Sequence, residues 1–181
     1  MAGKHADIFA LWGETQAQVR ETIARVSAAA ARHGRKVRFS LSLRPVLAAT
    51  EEEAWKRADS IVERTRAARV AAGLSTTNHA PPNAGSQRLL AAAAQGARLD
   101  KRLWTGVAAV SGAQGNSTGL VGTPEQVAEG LLDYYDLGVS TFLIRGFDPL
   151  EDAVAYGRDL IPLVRELVAA RDARQPVAGA A

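Results

Sequence analysis

Val139-Ser140-Thr141-Phe142-Leu143-Ile144-Arg145-Gly146-Phe147 runs directly into Asp148-Pro149-Leu150-Glu151. The first stretch is a short apolar run. The second sets out a capping side chain, a proline suited to the first helical turn and a carboxylate three residues beyond the cap. This junction reads as a strand handing over to a helix. The same order recurs where Leu120-Val121-Gly122 meets Thr123-Pro124-Glu125-Gln126, and where the run Val37 to Leu47 leads to Thr50-Glu51-Glu52-Glu53. Three such junctions define a chain of βα units. In folds of that class, ligands sit where strands end and helices begin.

Working outward, Ala6-Asp7-Ile8-Phe9-Ala10-Leu11-Trp12 is a buried-strand pattern stopped by Gly13, and Val19, Ile23 and Val26 then recur on one helical face. That helix should end near Gly34, a glycine C-cap followed by basic residues. In the second strand Phe39, Leu41 and Leu43 alternate with Ser40, Ser42 and Arg44, and Pro45 predicts an irregular strand end. A long amphipathic helix is expected from Glu51 to about Ala72, and a short one from Gln87 to Ala94. Between them residues 73–86 read as a mobile insertion rich in Ser, Thr, Asn and Pro. After the apolar run Leu103 to Val110, Ser111 to Gly119 is a glycine-rich loop. Pro162 predicts a kink in the last helix. The reading is a single domain over 1–171 with a flexible tail over 172–181.

The 181 residues are ample for one core, but a closed barrel of eight βα units takes about 250, so roughly four units fit. The 22 Lys and Arg and 19 Asp and Glu interleave along helices, as between Glu51 and Arg69, which is a solvated face and not a nucleic-acid patch. With no cysteine there is neither a disulfide framework nor thiolate chemistry. No membrane-length apolar run and no signal-peptide core are present, so the expectation is a soluble cytoplasmic protein.

His5, His33 and His79 lie in three unrelated settings, which argues against a metal site. No serine sits in a Gly-x-Ser-x-Gly elbow. Glycines 112, 115 and 119 match neither a dinucleotide fingerprint nor a P-loop, because no helix start follows them. The informative residues are those at strand ends: Trp12, Ser42, Arg44, Arg145 and Phe147. An arginine at the end of a parallel strand needs an anion, a carboxylate or carbonyl groups. Pairing with acids of neighbouring βα loops and binding of a ligand anion both satisfy that need. Trp12 and Phe147 suit packing or stacking on a flat ring.

Together with these residues, Ala6 to Glu14, Arg35 to Phe39, Thr50 to Trp55, Leu103 to Val107, Leu120 to Ala128, Asp136 to Val139 and Gly146 to Glu151 resemble the C-terminal half of bacterial luciferase-like, flavin-dependent monooxygenases. The nearest branch is the alkanesulfonate monooxygenases. The resemblance runs in order from about Lys4 to Leu167 and implies half of a TIM (β/α)8 barrel. It also implies oxygenation of a small molecule by reduced FMN and oxygen, with the FMN delivered by a separate flavin reductase.

The chain starts near the fifth strand of such a barrel, so the Ser- and Gly-rich loop that helps hold the FMN phosphate would lie before Met1. A half barrel leaves sheet edges and a hydrophobic face open, which implies an N-terminal half-barrel chain or self-association as partner. The alkanesulfonate branch carries an Arg-x-His on its sixth strand, an Arg after the strand preceding the mobile loop, and a Tyr after its eighth. Here Ser42 with Arg44, Ser111 and Phe147 stand in those places. Phe cannot donate a proton, and Arg44 with Arg145 is left to face an anion. The resemblance thus assigns Trp12, Ser42, Arg44, Ser111, Arg145 and Phe147 to the flavin and substrate side. Two other readings fit the same residues: a non-catalytic βα module that completes a barrel, and a small anion-binding α/β protein.

Overall fold

A computed structural model describes residues 1–74, 81, 83–115 and 117–174. After a short N-terminal helix α1 (Ala2–His5), the first unit is β1 (Ile8–Trp12) and α2 (Gln16–Ala31). The second is β2 (Arg38–Leu43), β3 (Val46–Leu47) and α3 (Glu51–Ala71). There follow α4 (Ala84–Ala93), β4 (Arg98–Leu99), β5 (Leu103–Trp104) and α5 (Gly106–Ser111). The third unit is β6 (Gly119–Gly122) and α6 (Pro124–Tyr135). The fourth is β7 (Val139–Ile144) and α7 (Pro149–Ala155), which continues through a π-helical turn (Tyr156–Leu160) into α8 (Ile161–Arg174).

The capping signals act largely as written. Thr50 with Glu53 and Thr123 with Gln126 form complete capping boxes, as does Thr15 with Gln18. Asp148 does not cap α7. The carboxylate of Asp152, one turn on, accepts the N–H groups of Phe147 at 2.8 Å and Asp148 at 2.9 Å, because arginines from α3 draw the Asp148 side chain away. Just ahead of Pro162, where a kink is expected, the helix carries a π turn in which the Ile161 N–H reaches the carbonyl of Tyr156. Proline cannot supply the next α-helical donor, so the ladder is re-spaced just ahead of it.

Three other expectations shift. The helix expected from Gln87 begins at Ala84, because Asn83 accepts the Ser86 N–H at 2.7 Å and starts it earlier. Half of the insertion expected at 73–86 lies outside the described residues. α8 runs to Arg174, past the boundary set at 171. Helix also claims Ser111, at the start of the expected glycine-rich loop, with Gly112 in the left-handed conformation closing α5.

β1, β2 and β7 form a parallel sheet with β2 in the middle. β6 does not enter between β2 and β7 as simple succession would place it. It pairs with β3, and β5 and β4 extend that second sheet antiparallel. The interruption at Arg44-Pro45 separates the two sheets, as Pro45 predicted. Among the described residues, helices form a packed layer on one side of the three-stranded sheet. There Leu11, Phe39, Leu41, Leu43, Val127, Leu131, Tyr134 and Leu160 form the main core. A second core of Val46, Trp55, Ile61, Trp104 and Val121 lies beneath α3. On the other side Ile8, Trp12 and Leu143 are 46%, 37% and 63% exposed. All-parallel sheets are normally covered on both faces.

Candidate functional site at the strand ends

The uncovered face reads in rows. Ala10, Ser40 and Thr141 stand in register, followed by Trp12, Ser42 and Leu143. Beyond them the Arg145 N–H reaches the carbonyl of Leu43 at 3.3 Å, which brings Arg44 and Arg145 to matching positions on β2 and β7. Five of the six candidates therefore gather at one end of the sheet: Trp12, Ser42, Arg44, Arg145 and Phe147. Ser111 is elsewhere, buried at the end of α5 among α3 and α4. Its hydroxyl has no hydrogen-bond partner among the described residues.

Within the cluster, Arg44 is held on two sides. Its Nη1 donates to the Gly146 carbonyl at 2.6 Å, and its guanidinium lies 4.8 Å from the centre of the Phe147 ring. That ring meets Trp104 edge-on at 5.8 Å, so the arginine rests on a packed aromatic pair. Burial, followed by the nearby charge of Arg145, lowers the proton affinity of Arg44 below the ordinary arginine value. Trp12 lies against Gly85 at the start of α4, where a Cβ would strike the indole. Gly13 is also required by contact, since a side chain there would collide with Leu43 and Thr118.

Charged residues that the linear pattern did not single out hold this end together. Arg57 of α3 reaches Asp152 at 2.6 Å and the Leu47 carbonyl at 3.2 Å. Asp148 takes Arg64 at 3.1 Å and Arg57 at 3.3 Å. Burial pulls the Arg57 pKa down, and the hydrogen bonds and charges of Asp152 and Asp148 together more than reverse that pull. The Arg64 hydrogen bond holds Asp148 below the usual carboxylate range. Tyr156, at the π turn, donates to the Pro45 carbonyl at 2.5 Å, and burial raises its hydroxyl pKa. At the end of β1, buried Glu14 accepts Arg88 of α4 at 2.8–2.9 Å. Its carbonyl takes the Tyr134 hydroxyl at 2.8 Å. Two signals in the sequence pointed this way. A carboxylate directly after a strand-ending glycine needs a partner when buried, and Arg57 and Arg64 are two helical turns apart on one face of α3.

Chemically the cluster is cationic and aromatic. The exposed-face positions of β1, β2 and β7 carry no carboxylate and no imidazole. Among the described residues no group of three His, Asp or Glu could hold a metal ion. Ser117 and Thr118, just before β6, are both 1% exposed and leave their hydroxyls unpartnered among the described residues. A groove of about 600 Å³ lies outside this cluster, along β7 and α8, lined by Phe142, Ile144, Leu160, Ile161 and Val164.

The sequence profile of the luciferase-like monooxygenases matches residues 1–141. The chain belongs to the luciferase-like monooxygenase family. Solved structures agree on the fold of this family member. A riboflavin lyase, solved with a modified FMN and its substrate riboflavin, superposes with a TM-score of 0.67 at 22% identity, covering 92% of this chain and 40% of that one. EDTA monooxygenase from Chelativorans sp. BNC1 gives 0.59 at 17% identity, over 92% and 43% of the two chains. A long-chain alkane monooxygenase gives 0.59 at 15%, over 92% and 38%. The luciferase-like chain thus spans about two fifths of the length of these structures, and its four βα units form part of a TIM barrel. No helix of the described residues is long and apolar enough to cross a membrane.

Proposed function

We propose that this chain forms the C-terminal half of a flavin-dependent monooxygenase site that works with reduced FMN and molecular oxygen. The single observation behind the reading is the β1–β2–β7 sheet face opposite the main core, which gathers Trp12, Ser42, Arg44, Arg145 and Phe147 at its C-terminal end in a chain of this family. A flat, partly exposed indole and two guanidinium groups suit one wall of a flavin site. Bound FMN would supply the oxygen-activating chemistry. The chain's own contribution is to stack and orient the ring through Trp12, to attract anionic groups through the arginines, and to exclude water on the side backed by Phe147 and Trp104.

The opposite wall would come from a complementary half barrel or from self-association. The uncovered sheet face and the apolar groove beside β7 support this, because both are surfaces that a further βα layer would cover. A separate flavin reductase would deliver the cofactor. An alkanesulfonate-like substrate remains within the proposal, with Arg44 and Arg145 in place of that branch's own charged groups.

The test is an anaerobic titration of reduced FMN into the full chain, followed by calorimetry, with light scattering on the same sample. Saturable binding by a monodisperse species, weakened by Trp12→Ala, is the expected result. A folded, monodisperse chain that binds no reduced FMN would overturn the reading. It would favour a non-catalytic βα module, a second reading supported by the lack of a carboxylate or imidazole at the open-face positions of β1, β2 and β7.

A further inference from the structure

We infer that Lys4, Arg32, Arg35, Lys36 and Arg38 form a docking surface for an acidic segment of a partner protein. The surface lies at the N-terminal end of the β1–β2–β7 sheet, opposite the end that carries the strand-end candidates. Three sets of contacts draw these residues together. α1 lies against the last turn of α2, so closely that a Cβ on Gly3 would strike the backbone of Ala29 and Ala30, and this places Lys4 at the helix end that Arg32 closes. The Arg35 guanidinium donates to the Ala6 carbonyl at 3.2 Å and to the Asp7 carboxylate at 2.7 Å. The Arg38 N–H reaches the Asp7 carbonyl at 3.0 Å, and Arg38 stands in register with Ile8 of β1. Lys4, Arg32, Lys36 and Arg38 are all exposed.

The chain does not balance this charge itself. Asp7 is the only acidic residue in 1–13 and 31–50, and Arg35 already holds it. Asp136 and Asp172, near the start of β7, are engaged by Arg171 at 2.8 Å and by the Tyr135 hydroxyl at 2.6 Å. Nor do the basic side chains cap α2, because the carbonyls of Ala30 and Ala31 take the backbone N–H groups of His33, Gly34 and Arg35. The make-up of the surface then chooses among polyanions. Three of the five cations are arginines, whose planar forks match carboxylates, and Asp7 on Arg35 shows that pairing within the chain. No Phe, Tyr or Trp lies in 1–7 or 31–38 to stack on nucleic-acid bases. α1, with 4 residues, is too short to lie in a lipid surface as an amphipathic helix. An acidic protein segment is the partner that fits.

The experiment titrates the full chain into a dye-labelled poly-glutamate peptide and follows the anisotropy of the dye. Saturable binding is expected, and it should weaken as salt is raised from about 0.01 to about 0.15 M, which shortens the Debye length from about 30 to about 8 Å. The triple variant Arg32→Gln/Lys36→Gln/Arg38→Gln should bind about tenfold or more weakly. A control removes the same charge from exposed positions elsewhere, as Arg20→Gln/Arg66→Gln/Arg165→Gln, and should bind nearly as the parent does. Amide chemical shifts of the parent chain, which need no variant to fold, should move on peptide addition around Lys4 and residues 32–38. No saturable binding, equal losses in the two variants, or shifts centred elsewhere would overturn the inference. Tighter binding of a single-stranded oligonucleotide or of phosphatidylserine vesicles through the same residues would overturn it too, by showing that the partner is not a protein. The assay contains no flavin, so this surface and the monooxygenase reading stand or fall separately.

Discussion

Leu41 and Leu143 belong to adjacent strands of one sheet, yet Leu41 is fully buried and Leu143 is 63% exposed. The face that carries Leu41 packs on α2, α6 and α8 and holds the main core. The face that carries Leu143 is left without a helical layer at its centre by the described residues, and it ends in Trp12, Ser42, Arg44 and Arg145. The main core lies on one side of the sheet, and the aromatic and cationic strand-end candidates lie on the other. The two sides are joined at the β7–α7 turn, where Asp152 ties Arg57 to the backbone that carries Phe147.

That joint should give the largest effect. Asp152 is 2% exposed, and its removal strands a half-buried Arg57 and two backbone N–H groups. Asp152→Ala should cost about 3–5 kcal/mol, a fall of about 10 °C in melting temperature for a chain of this size. Asp152→Asn, which keeps the shape, should lose less. Equilibrium urea unfolding of both variants checks this, and a loss below about 1 kcal/mol for the alanine variant would mean that the two faces are not mechanically joined here.

The contrast between the faces can be tested with one substitution made twice. Leu41→Ala should cost about 3 kcal/mol through lost transfer energy and the cavity left behind. Leu143→Ala should stay within about 0.5 kcal/mol, because its side chain is already in water. If light scattering shows the parent chain self-associating, Leu143→Glu should shift it towards monomer, as expected when a bare apolar face drives assembly. Similar costs for the two alanine variants would show that the open face is covered in solution.

How much of this was legible in the sequence depends on the range of the interactions. The βα junctions were readable because a cap and its helix are neighbours: Thr50 with Glu53, and Thr123 with Gln126. The break at Pro45 followed from one missing N–H. The strand-end candidates were readable from alternation, and five of the six lie at one end of the sheet. Ser111 was placed by resemblance alone, and α5 carries it away. Local patterns did not show which distant partners the charges choose. Arg57 and Asp152 are 95 residues apart, and Glu14 and Arg88 are 74 apart. The same gap explains Asp148. Its sequence is that of an N-cap, but two arginines from α3 outbid the helix end for its carboxylate. The pairing of β6 with β3 is likewise a tertiary choice, made possible because Gly119 lets its strand lie against the Arg44 carbonyl.

The smallest expected effect lies far from both faces and isolates electrostatics from packing. Glu51, at the first turn of α3, takes hydrogen bonds from Arg102, Gln126 and Trp55, which bring its pKa from 4.5 down to about 2. The folded state therefore binds this proton less readily than the unfolded chain. The resulting stabilisation is present above about pH 4.5 and disappears as the pH falls towards 2. Glu51→Gln should flatten the acid limb of the stability curve between these values and leave the neutral-pH slope untouched. Because the carboxylate faces solvent, the difference between the two proteins should shrink further in 1 M salt, where the Debye length is about 3 Å. A difference that survives high salt would assign the Glu51 network to packing around Trp55 and Arg98, whose guanidinium lies 3.8 Å from that ring.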